Sequence, residues 1–220
     1  MTVAELQDAN DRPNLVRKIQ RAVAFLAPKS ATLPDTLFGT NGDLTELPAD
    51  YKPVGIVTAD GYVFGHEPDK EDIDALGYAS PVRSDITTVA RSIKFTPLEY
   101  GRRHMLELSY GVDLSTTTQD ATTGEVTFDE VDLPVNAEYR LLVIGDDGPA
   151  DANWILGRGY PRVKLASLAE TAWAKEGAMS TEITLDVFTD TDLGTPVRHY
   201  FGGTGALAAA EDLGFEATTP

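Results

Sequence analysis

The sequence predicts a mainly β fold, a β-sandwich or partly closed barrel with one flanking α-helix. Three observations carry that expectation. Arg140–Gly145, Trp154–Leu165, Thr181–Phe188 and Pro196–Phe201 are apolar runs divided by Gly, Pro or Asp, the punctuation of strands. A helix signal stands mid-chain with strand signals on both sides. Strands therefore do not alternate with helices, which disfavours a doubly wound parallel sheet.

The elements follow in chain order. Leu15, Val16, Ile19, Ala22, Val23 and Leu26 recur at helical offsets between Pro13 and Pro28, which predicts an amphipathic helix over 13–27. Residues 30–52 are rich in Pro, Gly, Thr and Asp without either periodicity, as in a linker or meandering arm. Val54–Thr58 and Tyr62–Gly65 flank Asp60-Gly61 and predict a tight hairpin. His66–Ser80 packs Glu67, Asp69, Lys70, Glu71, Asp72 and Asp74 into one stretch, a charge density that predicts an exposed loop. Ser84–Phe95 alternates Val89, Arg91, Ile93 and Phe95 against Thr88, Ala90, Ser92 and Lys94, as a long half-buried strand does. Thr96-Pro97-Leu98-Glu99 then reads as a capping box with Pro at the first helical position. Behind it, Leu98, Gly101, Met105, Leu108 and Val112 form the apolar stripe of a helix that ends near Gly111. Residues 115–125 are a Thr-rich surface loop. The organisation expected is an N-terminal arm with helix and linker (1–52), a β-sandwich domain (53–202) and a C-terminal arm (203–220).

Of 220 residues, 18 are basic and 35 acidic, a formal charge of −17, which argues against gripping a nucleic-acid backbone. The stretch from Arg12 to Lys29 departs from this, with five basic residues and no acid. Arg12, Arg17, Lys18 and Arg21 are candidates for docking on an acidic surface, of a neighbour or of the chain's own domain. With no cysteine, disulfides and thiolate metal sites are excluded. The N-terminus MTVAELQDAN lacks the basic start and apolar run of a signal peptide, and the expectation is synthesis in a cytoplasm without membrane association.

No constellation points to catalysis, a cofactor or a metal. Gly203-Thr204-Gly205-Ala206-Leu207-Ala208 imitates a dinucleotide loop, but only twelve residues follow it, too few for the rest of that motif. His66, His104 and His199 lie far apart without metal-ligand spacing. Asp190-Thr191-Asp192-Leu193-Gly194 has glycine at its fifth position, where a calcium loop needs a ligand, and reads as a turn.

Several strings occur in a telling order: Val54-Gly55-Ile56-Val57-Thr58-Ala59-Asp60-Gly61, then Ile93-Lys94-Phe95-Thr96-Pro97-Leu98-Glu99 leading to Tyr110-Gly111. Tyr160-Pro161-Arg162-Val163, Thr184-Leu185-Asp186-Val187-Phe188, Gly194 and Arg198-His199-Tyr200 follow. In this order the chain resembles the major tail-tube proteins of siphophages, particularly those of phages infecting actinobacteria. The match spans roughly Val54 to Phe201, about two thirds of the chain. The resemblance implies a β-sandwich that assembles into hexameric rings, whose inner strands join into one barrel and whose stacks form a tail tube passing DNA at ejection. It implies no catalytic residues and no cofactor. It implies as partners further copies of the chain and tail proteins such as the tape measure and tail terminator, with residence in the virion tail. The Glu67–Asp74 stretch is the expected contact between stacked rings, with the two terminal arms as further bridges. The rival reading is a monomeric acidic β-sandwich that binds a surface or a carbohydrate, for which Trp154 and Trp173 offer stacking aromatics.

Overall fold

One long strand organises the sheet. In the computed structural model, which describes residues 1–216, β6 (Trp154–Leu168) is paired along one edge by β5 (Tyr139–Asp147). Its other edge is shared: β8 (Arg198–Gly202) takes Ile155–Gly159, and β7 (Ile183–Val187) takes Val163–Leu168. Beyond β5 lie β1 (Arg21–Pro28) and the two-residue β2 (Lys52–Pro53); beyond β7 lie β4 (Arg83–Phe95) and β3 (Val63–Ile73). All pairs are antiparallel, so the described chain is mainly β, as expected.

The sheet buries both faces. On one, Ala24, Leu26, Leu141, Val143, Val163, Leu185, Ile93 and Phe95 meet Met105 and Leu108 of helix α2 (Arg103–Tyr110). The sheet curls over this core, bringing Phe64 near the far end of the strand order onto Tyr160 of β6, with ring centroids 6.2 Å apart. Each fully buried Leu or Ile contributes roughly 2 kcal/mol. The other face is covered by residues 29–51, whose Ala31, Leu33, Leu37 and Tyr51 are buried. Gly157 and Gly159 make room for this cover, since a Cβ at Gly157 would stand 2.6 Å from Leu37 Cδ1. Tyr51 Oη donates to Thr32 O at 3.0 Å and Tyr200 Oη to Pro34 O at 2.5 Å, which fastens the cover down.

Several local expectations are corrected. The helix expected over 13–27 is a short 3₁₀ turn (Pro13–Leu15) followed by β1, while the N-terminal α-helix lies earlier, at α1 (Val3–Asn10). Ala22–Ala27 is continuously apolar and its middle, Val23–Leu26, pairs with the equally apolar Leu141–Ile144, so sheet burial overrides a helical spacing that the same residues also satisfy. Residues 21–28 thus belong to the sheet, and 29–51 to its cover, inside the span expected to be an arm. Val54–Gly65 forms no hairpin: Gly61 closes a turn onto Thr58, while Val57 bridges Pro97.

The capping box is also corrected. Thr58 N donates to Thr96 O at 3.0 Å and Leu98 N to Ile56 O at 2.8 Å, so 96–98 continues as extended chain and α2 starts only at Arg103. Thr96 caps nothing. Glu99 instead accepts the Ile56 N–H at 2.8 Å and pairs with Arg102, and these bonds hold its carboxyl below the usual range. Gly101 (φ 91°) turns the chain before the helix and Gly111 (φ 62°) ends it where expected. After β8, α3 (Thr204–Ala208) and α4 (Ala210–Leu213) fold back, burying Ala206 and Ala209 against Trp154.

Candidate assembly surfaces

The acidic stretch expected to be a loop is strand. Glu67, Asp69, Lys70, Glu71 and Asp72 lie on β3, and Asp74 opens the turn to β4. Among the described residues, this strand pairs from Glu67 to Ile73 only with β4, whose other edge is free over Arg83–Arg91. A two-stranded ribbon about 20 Å long therefore projects from the body, wet on both faces. Wetness on both faces explains the absence of alternation that disguised the strand. Glu71 stands directly across from Asp85, a repulsive pair that Arg83 relieves at 2.5 Å from Asp85.

The ribbon's outer edge is defended. Pro68 removes a donor and Lys70 adds a charge on β3, two devices that discourage unplanned strand pairing, and opposite them β4 bulges at the skipped Thr87. Its tip carries exposed apolar side chains: Leu76 is fully exposed, Tyr78 is 72% exposed and Val82 is open to solvent, as is Ile86 further back on β4. Sequence reading weighed the acids and passed over these residues.

The basic N-terminal residues are engaged within the chain. Arg12 Nε lies 2.8 Å from Asp212, and Arg21 lies 2.6 Å from Asp146. Arg17 meets Asp147 at 3.3 Å while its guanidinium sits 4.2 Å over the Trp154 ring. Lys18 donates its backbone N–H to Asp147 at 3.1 Å, leaving its side chain exposed. Residues 12–21 thus strap onto the acidic end of β5 and onto α4. Ahead of the strap, α1 carries a complete capping box of Thr2 and Glu5 yet buries no residue.

Two further surfaces carry exposed apolar groups. The outer edge of β8 has no strand partner among the described residues, and beside it runs a groove of about 800 Å³ walled by Phe38, Phe201, Leu207, Leu213 and Phe215. A second cleft, about 640 Å³, lies between the 57–62 strip and the ends of β5, β6 and β8.

The dinucleotide-like string has a packing role. Gly205 is buried, and a Cβ there would stand 2.4 Å from Trp154 Nε1. Thr204 and Asn153 clasp each other, Thr204 N donating to Asn153 Oδ1 at 3.0 Å and Asn153 N to Thr204 Oγ1 at 3.1 Å. Of the two tryptophans, Trp154 is buried and Trp173 is exposed on a loop. His104 is half-buried with a ring nitrogen 2.9 Å from Pro53 O, and burial lowers its pKa. Among the described residues no three His, Asp or Glu converge as a metal site, and no helix is long and apolar enough to cross a membrane.

Together these features define a mainly antiparallel β protein with open sheet edges and a projecting ribbon. No protein-family model and no curated protein matches the chain. Among solved structures it is similar to a chain of the SPP1 tail tube, determined by solid-state NMR and cryo-electron microscopy. The identity is 14% and the TM-score 0.37, over 91% of this chain and 87% of that one. A superposition this loose does not bear on function.

Proposed function

We propose that the chain is a structural subunit of a phage tail tube, resident in the virion tail. In this reading its open strand edges join neighbours into hexameric rings, and its ribbon links stacked rings into a conduit for DNA. The observation that carries the reading is the β3–β4 ribbon. A two-stranded ribbon with water on both faces is marginal on its own, so the seven residues Glu67–Ile73 and the nine residues Arg83–Arg91 are a poor investment for a monomer. Covered by neighbouring copies, the same ribbon becomes part of a larger packed structure.

The sequence resemblance to siphophage tail-tube proteins points to the same architecture. A formal charge of −17 on every copy supports a lumen that repels phosphates and leaves DNA mobile. Tape-measure and tail-terminator proteins are the other partners this reading requires.

The test is direct imaging. Purified full-length protein, concentrated and examined by sedimentation and negative-stain microscopy, should give rings or hollow tubes. A particle that stays monomeric at every concentration, and in infected cells, overturns the proposal, and a lumen lined by Lys and Arg overturns its electrostatic part. Removing residues 1–10 isolates the contribution of α1, which buries nothing on its own subunit.

A further inference from the structure

We infer that the cleft around Arg158 is the socket for the ribbon tip of a second copy of this chain, the ribbon's carboxylates meeting the Arg158 guanidinium. The inference rests on the assembly reading and names the surface that completes one of its contacts.

The cleft holds about 640 Å³ and is walled mainly by Val57, Tyr62, Phe64, Val143, Leu156 and Phe201. Arg158, on β6, is half-buried there with its guanidinium 4.1 Å over the Phe64 ring. No acidic side chain of the described residues lies within 4.0 Å of it as an ion pair. The other charged or titratable groups lining the cleft are Arg21, held by Asp146, together with Asp60, Tyr62, His199 and Tyr200. A half-buried cation without an ion-pair partner is conspicuous in a chain with 35 acids against 18 bases. A carboxylate brought from outside supplies that partner.

The ribbon tip has matching chemistry. Leu76, Tyr78 and Val82 are exposed and fit an apolar wall, and Glu71, Asp72 and Asp74 beside them supply the carboxylates. The outer edge of β3 is guarded against sheet extension by Pro68 and Lys70, and the tip is where the exposed apolar side chains and the carboxylates stand together. Tip and socket are different patches of one chain, with the socket beside the ribbon's root at Phe64. Such a contact is head-to-tail and propagates from copy to copy instead of closing a pair.

Charge reversal tests this on the full chain. Arg158→Glu, and separately Glu71→Lys with Asp72→Lys, should each raise the concentration at which assembly begins by about tenfold or more. Arg158→Lys should stay close to the parent. All three reversals together should recover most of the loss, because the contact is restored with its signs exchanged. Circular dichroism and thermal unfolding of the dilute protein report folding; if Arg158→Glu unfolds, Arg158→Gln and the solvent-exposed ribbon pair decide. Parental assembly in either reversed variant, or no recovery in the combination, overturns the socket while leaving tube formation intact. Failure of the parent to assemble overturns both.

Discussion

Replacing Lys29 with Met should be among the most damaging single changes outside the apolar core. Asp190 is completely buried; its Oδ2 lies 2.5 Å from Lys29 Nζ, and its Oδ1 accepts the N–H groups of Asp192 and Leu193 at 2.9 and 3.0 Å. The pair ties the end of β1 to the turn after β7, two strands that are not neighbours in the sheet. Burial pushes the Asp190 carboxyl up, but Lys29 and the two amides outweigh it and leave the pKa at about 2, against 3.8 unperturbed. Because the folded value is the lower one, this stabilisation is fully present above pH 3.8 and is lost as pH falls toward 2. A depression of that size corresponds to about 2 kcal/mol. Lys29→Met does more than remove the pair, since it strands a buried carboxylate at a cost of roughly 3–5 kcal/mol. For a chain of this size that is a fall in melting temperature of roughly 6–20 °C at pH 7. The stranded carboxyl also favours its proton, so the deficit should shrink between pH 7 and pH 5. Calorimetry of dilute protein from pH 3 to 8 measures both effects; a variant melting within about 2 °C of the parent at pH 7, with the same acid limb, refutes the reasoning.

Gly205→Ala sets a methyl group against Trp154 Nε1 and should cost roughly 1–3 kcal/mol, read as an earlier unfolding midpoint with altered near-ultraviolet circular dichroism. Unchanged spectra and midpoint would show that α3 simply shifts. Gly111→Ala forces a side chain into the left-handed region and within 2.6 Å of Pro134 Cβ, so it should lower the melting temperature and fray the end of α2, seen as lost amide protection over Leu108–Tyr110. Leu207→Lys puts a charge into the groove beside β8 without touching the core; the monomer should melt within about 0.5 kcal/mol of the parent while self-association weakens in sedimentation. Undiminished association removes that groove from the assembly.

How much of this was legible from sequence depended on whether the deciding partner was local. The strands β4 to β8 are continuous apolar or alternating runs with Gly, Pro or Asp at their ends, and each was readable alone. Gly111 was readable as a helix stop for the same reason. The start of α2 was not, because Thr96 and Leu98 are taken by Thr58 and Ile56, some forty residues earlier. β1 was hidden by residues that satisfy helical and strand spacing equally, and only the apolar partner Leu141–Ile144 decides between them. β3 was hidden by charges on both faces, although the thirteen residues of β4 implied a partner of similar length. At the candidate surfaces the acids stood out as a cluster. The Arg158 cleft left no such trace, because its walls come from five separate parts of the chain.

The treatment of the edges separates two kinds of contact. The outer edge of β3 carries Pro68 and Lys70, so its ladder is guarded against strangers while apolar side chains at its tip stay free. The outer edge of β8 carries none of these: Arg198 is drawn aside by Asp35 at 2.6 Å, and Phe201 opens onto the apolar groove of α3 and α4. An unguarded edge beside an apolar groove invites aggregation unless a specific neighbour covers it. Under the assembly proposal, the open edge at β8 is the side-by-side ring seam and the ribbon tip is the end-on stacking contact. Their separate chemistry, ladder bonds with apolar cover in one and charge with an apolar tip in the other, makes the stacking contact the more salt-sensitive of the two.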